Sequence, residues 1–206
     1  MDNNYFVIFT GRPNAGKSTC MKYLGRGLNL HSDQLSRIRT GKRAGTTHRI
    51  FRMQVSSYLS LIDFPGFGRV TGRSKRYAEE AKDAIVSFIE DNAPTIVLAV
   101  HLIDVSTFWQ MSESLEQKGI ENIDVEMVRF LFDVKIPEVM VLANKVDKIA
   151  TSKRNLDMIA ELIPKNLIFL PVSFRTGFNV KEVRQRFRAA LFAALGPKIS
   201  GQIFKT

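Results

Sequence analysis

At 206 residues, 45% of them hydrophobic and 24% charged, the chain suits one α/β domain spanning 1–206, large enough for a substantial core. A single cysteine, Cys20, excludes an intrachain disulfide, the three histidines His31, His48 and His101 lack metal-ligand spacing, and no apolar run approaches the roughly 20 residues of a membrane span. The net charge of +10 points to an anionic partner.

That charge is unevenly spread. Residues 22 to 52 hold eight Lys or Arg against Asp33 alone, residues 173 to 206 hold seven against Glu182 alone, and the stretch between them is mildly acidic. Two basic concentrations read as a footprint for a phosphate backbone, or as a solvated face with no partner. The N-terminal residues lack a basic flank and the C-terminal GQIFKT carries no prenylation cysteine, so a cytoplasmic monomer with no membrane attachment is expected.

In chain order, Tyr5 to Phe9 predicts a first strand and Lys17 to Leu24 a first helix. Between them runs GRPNAGKS: Gly11, Arg12, Pro13, Asn14, Ala15, Gly16, Lys17 and Ser18, with Thr19 continuing into the helix. At a strand-to-helix junction this is the pattern of a phosphate loop. Its glycines let backbone N–H groups face a β-phosphate, Lys17 reaches the β- and γ-phosphates, and the Ser18 hydroxyl coordinates Mg²⁺. Gly25 to Gly45 is basic, polar and glycine-punctuated, which predicts a loop. It leads into GTTHR, namely Gly45, Thr46, Thr47, His48 and Arg49. Either Thr46 or Thr47 can place a hydroxyl on Mg²⁺ and an N–H on the γ-phosphate; the plainer reading is two threonines leading into a strand.

Phe51, Met53 and Val55 alternate with Arg52 and Gln54, and Ser56 and Ser57 turn the chain into Tyr58 to Ile62. Strands joined so briefly are antiparallel neighbours. Asp63, Phe64, Pro65 and Gly66 follow: the carboxylate can hold Mg²⁺ through water, and the Gly66 N–H can approach a γ-phosphate and report its presence. Phe67 to Lys75, with Gly68 and Gly72, is expected to move when that phosphate is lost.

Ser74 to Asn92 carries a helical stripe of Tyr77, Ala81, Ile85, Phe88 and Ile89. Thr95 to Val100 and Val139 to Leu142 read as central parallel strands, with a helix through Val125, Val128 and Phe132 between them. Residues 105 to 122, including Phe108, Trp109 and Met111, match no nucleotide motif and are either an apolar partner surface or core. Asn144, Lys145, Val146 and Asp147 follow a strand. Asp147 can accept from guanine N1–H and N2–H₂, a donor pair adenine lacks, while Asn144 reaches the other edge and the Lys145 stem covers the ring. Leu156 to Ile163 is a helix stopped by Pro164, and Leu167 to Val172 a last strand. Beyond it Val172, Ser173 and Phe174, followed by Arg175, offer backbone amides toward guanine O6. Val180 to Leu195 is a last helix, ending at Gly196 and Pro197. Together these predict a six-stranded, mostly parallel, doubly wound sheet with one antiparallel strand and helices on both faces, a P-loop NTPase of the Ras-like G-domain type.

The ordered set GRPNAGKS, GTT, DFPGFG, NKVD and PVSF resembles the translation-factor-related (TRAFAC) GTPases. DFPGFG, FIEDNA and the basic G-K-R-x-G-x-T loop are similar to the EngB (YihA) family, particularly its archaeal form. The resemblance covers nearly the whole chain. It implies binding of GTP and GDP with Mg²⁺, hydrolysis of GTP as a switch in assembly of the large ribosomal subunit on ribosomal RNA, and a link to cell division and septation. It makes Ser18 and Thr47 the magnesium ligands, Thr47 being third in GTTHR, with Asp63 acting through water and Lys17, Thr47 and Gly66 serving catalysis. Phe67 stands where many GTPases use a glutamine to orient the attacking water, so slow intrinsic hydrolysis is expected. Asn14 either helps bind K⁺ in place of an arginine finger or braces the loop. The alternative class is a GTP-gated interaction protein with negligible turnover that acts on a protein partner.

Overall fold

A computed structural model describes residues 4–38, 50–67, 75–148 and 153–204. Its centre is a six-stranded sheet of order β2-β3-β1-β4-β5-β6. β1 (Tyr5–Gly11), β4 (Ile96–Asp104) and β5 (Val139–Asn144) are buried almost throughout. That is why their sequences run apolar without alternating: helices cover both faces. β3 (Leu59–Asp63) pairs parallel with β1 and antiparallel with the edge strand β2 (Phe51–Gln54), where Met53 faces Leu61. In β2 only Met53 is buried while Arg52 and Gln54 are exposed, the two-residue period of a half-covered strand. β6 (Ile168–Val172) closes the other edge in parallel with β5.

One face is covered by α1 (Lys17–Gly25), the short α2 (Ser32–Ser36) and α7 (Val180–Ile203), which pack Cys20, Met21, Leu24, Leu35, Val183, Phe187 and Leu191 against the sheet. The other is covered by α3 (Lys75–Asn92), α4 (Phe108–Glu116), α5 (Ile123–Asp133) and α6 (Lys153–Glu161), through Ile85, Ile89, Phe108, Val128, Leu131 and Ile159. Among the described residues no helix is long and apolar enough to cross a membrane.

Several expectations need local correction. The Gly25 to Gly45 stretch contains α2, because Gln34 accepts a hydrogen bond from the His31 N–H (2.9 Å) and closes the first turn. Phe132 is exposed; the buried stripe of α5 is Val125, Val128 and Leu131, one residue earlier. Phe108 is fully buried with Trp109 edge-on to it at 5.2 Å, so this part of 105–122 is core rather than partner surface. The helix from Val180 does break at Gly196, which takes φ 72°, but it then resumes. Pro197 sits in the first turn of the resumed segment, where its missing N–H costs nothing. The resumed turns dock by Asn29 N–H to Ile203 O (2.7 Å) and a bridge between Leu28 and Phe204.

Candidate nucleotide site

The carboxyl ends of β1, β3, β5 and β6 bring the four loops that follow them to one end of the sheet, the general location of ligand sites in such folds. β1 ends at Gly11, where φ is 135° and a Cβ would lie 2.4 Å from the Leu102 carbonyl oxygen of β4. The chain then passes Pro13, Asn14 and Ala15 and enters α1 from Gly16 at φ 109°. Lys17 folds back over this loop. Its Nζ donates to Gly11 O and Arg12 O, both at 2.9 Å, and the side chain is buried. Burial pushes its ammonium down to about 8, against the pull of Asp63 and Asp124. Asn14 is exposed on a left-handed backbone, with no side-chain hydrogen bond to another described residue. Thr19 is exposed on the first turn of α1.

Asp63, at the end of β3, accepts from the Ser18 hydroxyl at 2.5 Å through Oδ2, while its buried Oδ1 has no partner. Burial pushes this carboxyl up, with Lys17 and the Ser18 hydrogen bond opposing. An orphaned carboxylate oxygen beside a hydroxyl, at a phosphate loop, is a donor set that fits a hydrated divalent cation. Gly66 packs directly on the phosphate loop: a Cβ there would sit 2.5 Å from Pro13 N. Phe64 and Phe67 are fully buried, and Phe67 stacks on His101 with centroids 6.1 Å apart. Gly45, Thr46, Thr47, His48 and Arg49 lie outside the described residues, as do Gly68 and Gly72.

Asn144, at the end of β5, ties the base-side loop to the phosphate loop by donating from Nδ2 to Ala15 O at 2.7 Å. Gly16 allows this, since a Cβ there would lie 2.4 Å from that nitrogen. Lys145 forms an ion pair with Asp104 at the end of β4, and Val146 and Asp147 follow in a short 3₁₀ turn. Asp147 accepts from the Ser173 hydroxyl and from Arg175 Nε at 2.6 Å. These partners, Ser173 first, hold its carboxyl below the usual range. The loop after β6 thus contributes the Ser173 side chain to Asp147. Val172 is buried and Phe174 packs on Tyr23 at 5.7 Å.

Sequence reasoning missed what holds Arg12. Its Nε donates to Asp124 Oδ2 at 2.7 Å and its Nη2 to Thr107 at 3.2 Å, with both members of the ion pair buried. Asp124 is placed by the N-cap of α5, its N–H donating to Asn122 Oδ1 at 2.9 Å. His101 lies 3.4 Å away and contacts Thr10. Breaking a buried pair of this kind costs about 3–5 kcal/mol, so the phosphate loop is anchored to α5. The partners lie 112 residues apart, and the only local signal was an acidic residue in a helix's first turn.

A family model described as "50S ribosome-binding GTPase" matches residues 6–145. The chain is similar to proteins named "Probable GTP-binding protein EngB" in three archaea. With that of Archaeoglobus fulgidus it shares 41% identity over 157 residues, covering 76% of this chain and 74% of the relative. For Pyrococcus abyssi the identity is 38%, covering 87% and 82%, and for Methanopyrus kandleri 32%, covering 97% and 98%. A crystal structure described as a probable GTP-binding protein engB superposes with a TM-score of 0.75 at 34% identity, covering 90% of this chain and 98% of the other.

Proposed function

The chain belongs to the EngB family of GTP-binding proteins, and from that premise we propose that it is a Mg²⁺-dependent GTPase switch that works on ribosomal RNA in large-subunit assembly. The observation that carries the chemistry is the convergence of Lys17, Ser18, Asp63 and Gly66 on one loop, with Asn144 tying the Asp147 loop to it. The family description as ribosome-binding supports the partner, as does the basic charge.

In this reading the N–H groups from Gly11 to Thr19 receive the phosphates, Lys17 spans the β- and γ-phosphates, and Gly66 offers its N–H to the γ-phosphate. Ser18 and Thr47 hold Mg²⁺ directly and Asp63 through water. Mg²⁺, when bound, neutralises charge developing on the β- and γ-phosphate oxygens. Lys17, Thr47 and Gly66 act on the same charge. Asp147 pairs with guanine N1–H and N2–H₂, Lys145 covers the ring, and the amides of Ser173 and Phe174 face O6. Phe67 is committed to the core against His101, so it orients no water and turnover is slow without a partner. The exposed Asn14 is free to help hold K⁺ in place of an arginine finger. A cytoplasmic monomer completes the reading, and a role in division and septation rests on family resemblance.

Lys17 gives this reading a pH dependence. Phosphates favour its ammonium form, so the bound-state pKa rises above the free-state value of about 8, and binding takes up a proton once pH exceeds that value. Nucleotide affinity therefore falls as pH rises through 8, by about fourfold between pH 7 and 8.5. Titration calorimetry across that range checks it, and a flat profile contradicts the role of Lys17. The partner is tested by co-sedimentation with ribosomal subunits in GDP and in a non-hydrolysable GTP analogue. Pelleting with the large subunit only in the analogue is expected; pelleting that ignores the nucleotide argues against a γ-phosphate switch on that particle.

A further inference from the structure

Residues 22–38 of the first basic stretch and the C-terminal basic stretch, remote in sequence, meet on one face. α1, the turn after it, α2 and α7 are joined by the Asn29 to Ile203 hydrogen bond, the Leu28–Phe204 bridge, and Arg184 lying 4.8 Å above the Tyr23 ring. Across the sheet three cations are matched by carboxylates, Arg76 with Glu80 and Lys82 with Glu126, each at 2.7 Å, and Arg129 with Glu121. Along α7 the one ion pair among the described residues is Arg186 with Glu182, stretched to 3.7 Å. Arg188 instead lies over an aromatic ring, 4.2 Å from the centroid of Phe204. Lys181, Lys198, Arg26 and Arg37, on or just after the elements that cover this face, are exposed.

This cationic face contains an open apolar groove lined by Arg188, Ala189, Phe192, Ala193 and Phe204. Phe192 is 53% exposed, a large apolar ring left in water beside a stacked guanidinium. Lys181, Arg188 and Phe192 recur at helical spacing on one stripe of α7, with Lys181 about 10 Å from Arg188 along the axis, more than one nucleotide further along an extended strand. We infer that the groove receives an unpaired base of single-stranded RNA on Phe192 while Arg188 holds its flanking phosphate and Lys181 a phosphate further along the same strand. Aromatic rings accept any base face, and arginine supplies both charge and a stacking plane. A cationic rim with little acidic charge favours this occupant over a protein segment. The inference rests on the ribosomal-RNA reading above and names the surface that makes the contact. Phe192 lies about 18 Å along α7 from the end nearest the base loop, so its loss leaves nucleotide binding intact.

The test is fluorescence anisotropy with a labelled single-stranded oligoribonucleotide and a duplex RNA of equal length, across a salt series, for wild type, Phe192→Ala and Arg188→Ala, with GDP affinity measured on the same samples. Wild type is expected to bind with a steep salt dependence. Phe192→Ala weakens single-strand binding about tenfold with the salt slope and duplex binding unchanged. Arg188→Ala lowers the slope by about one. GDP affinity stays at the wild-type value in both. Wild-type binding that Phe192→Ala leaves unchanged overturns the groove and spares the RNA reading. Absence of wild-type binding to either RNA, including at low salt, overturns both.

Discussion

Lys17→Ala is expected to weaken GTP binding by roughly 100- to 1,000-fold, the largest effect of any single substitution in the phosphate loop. The ammonium is desolvated and directed by the Gly11 and Arg12 carbonyls, and the neighbouring Arg12 is already committed to Asp124, so no second cation can replace it. Charge-assisted hydrogen bonds are worth about 1.5–3 kcal/mol each, and contacts to two phosphates together give the expected loss. Folding stability should change far less. Removing Lys17 leaves two carbonyls without their donor, at a cost of about 1–3 kcal/mol each for such buried groups, but it also removes a cation that burial disfavours. Titration calorimetry with GTP beside a thermal melt separates the two effects. A loss below tenfold in a folded variant contradicts the phosphate-loop reading.

Asp147→Asn is expected to weaken GDP binding by roughly 100-fold or more and to reverse base preference. In the proposed function the carboxylate accepts two hydrogen bonds from guanine, each worth about 1.5–3 kcal/mol when the acceptor is charged. An amide in its place presents a donor to the guanine amine. Xanthine carries an oxygen at that ring position, so its nucleotides should bind the variant better than GDP. Without a base, Asp147 is held by Ser173 and Arg175, so guanine must displace Arg175 from Oδ2; the measured loss will be smaller than the two new bonds alone suggest. Competition of GDP and xanthosine diphosphate against a fluorescent nucleotide decides it. Unchanged guanine affinity means that Asp147 does not read the base.

The features legible in sequence were those with a short-range signature. The apolar run into GRPNAGKS located β1, the phosphate loop and α1 together because a strand-turn-helix with obligatory glycines leaves little freedom: Gly11 faces the Leu102 carbonyl and Gly16 faces Asn144. Alternation in Phe51 to Val55 located the edge strand, and unalternating runs located β4 and β5. Features set by long-range packing were not legible. Nothing within the motif set Arg12 apart from its neighbours, and its anchoring role came only with Asp124 brought beside it from α5. Phe67 looked like a substituted catalytic position; its side chain belongs to the core through His101. The resumption of α7 after Gly196 depends on docking against Leu28 and Asn29, contacts that a local Gly-Pro signal cannot reveal.

The most direct measurement is displacement of a bound fluorescent GDP from the wild-type protein by GTP and by ATP in the presence of Mg²⁺. A site that combines the Lys17 cradle with an Asp147 base reader predicts displacement by GTP near stoichiometric concentration and none by a thousandfold excess of ATP, since discrimination by paired polar groups reaches about 10⁴–10⁵. Comparable displacement by the two nucleotides would contradict the guanine reading at its root.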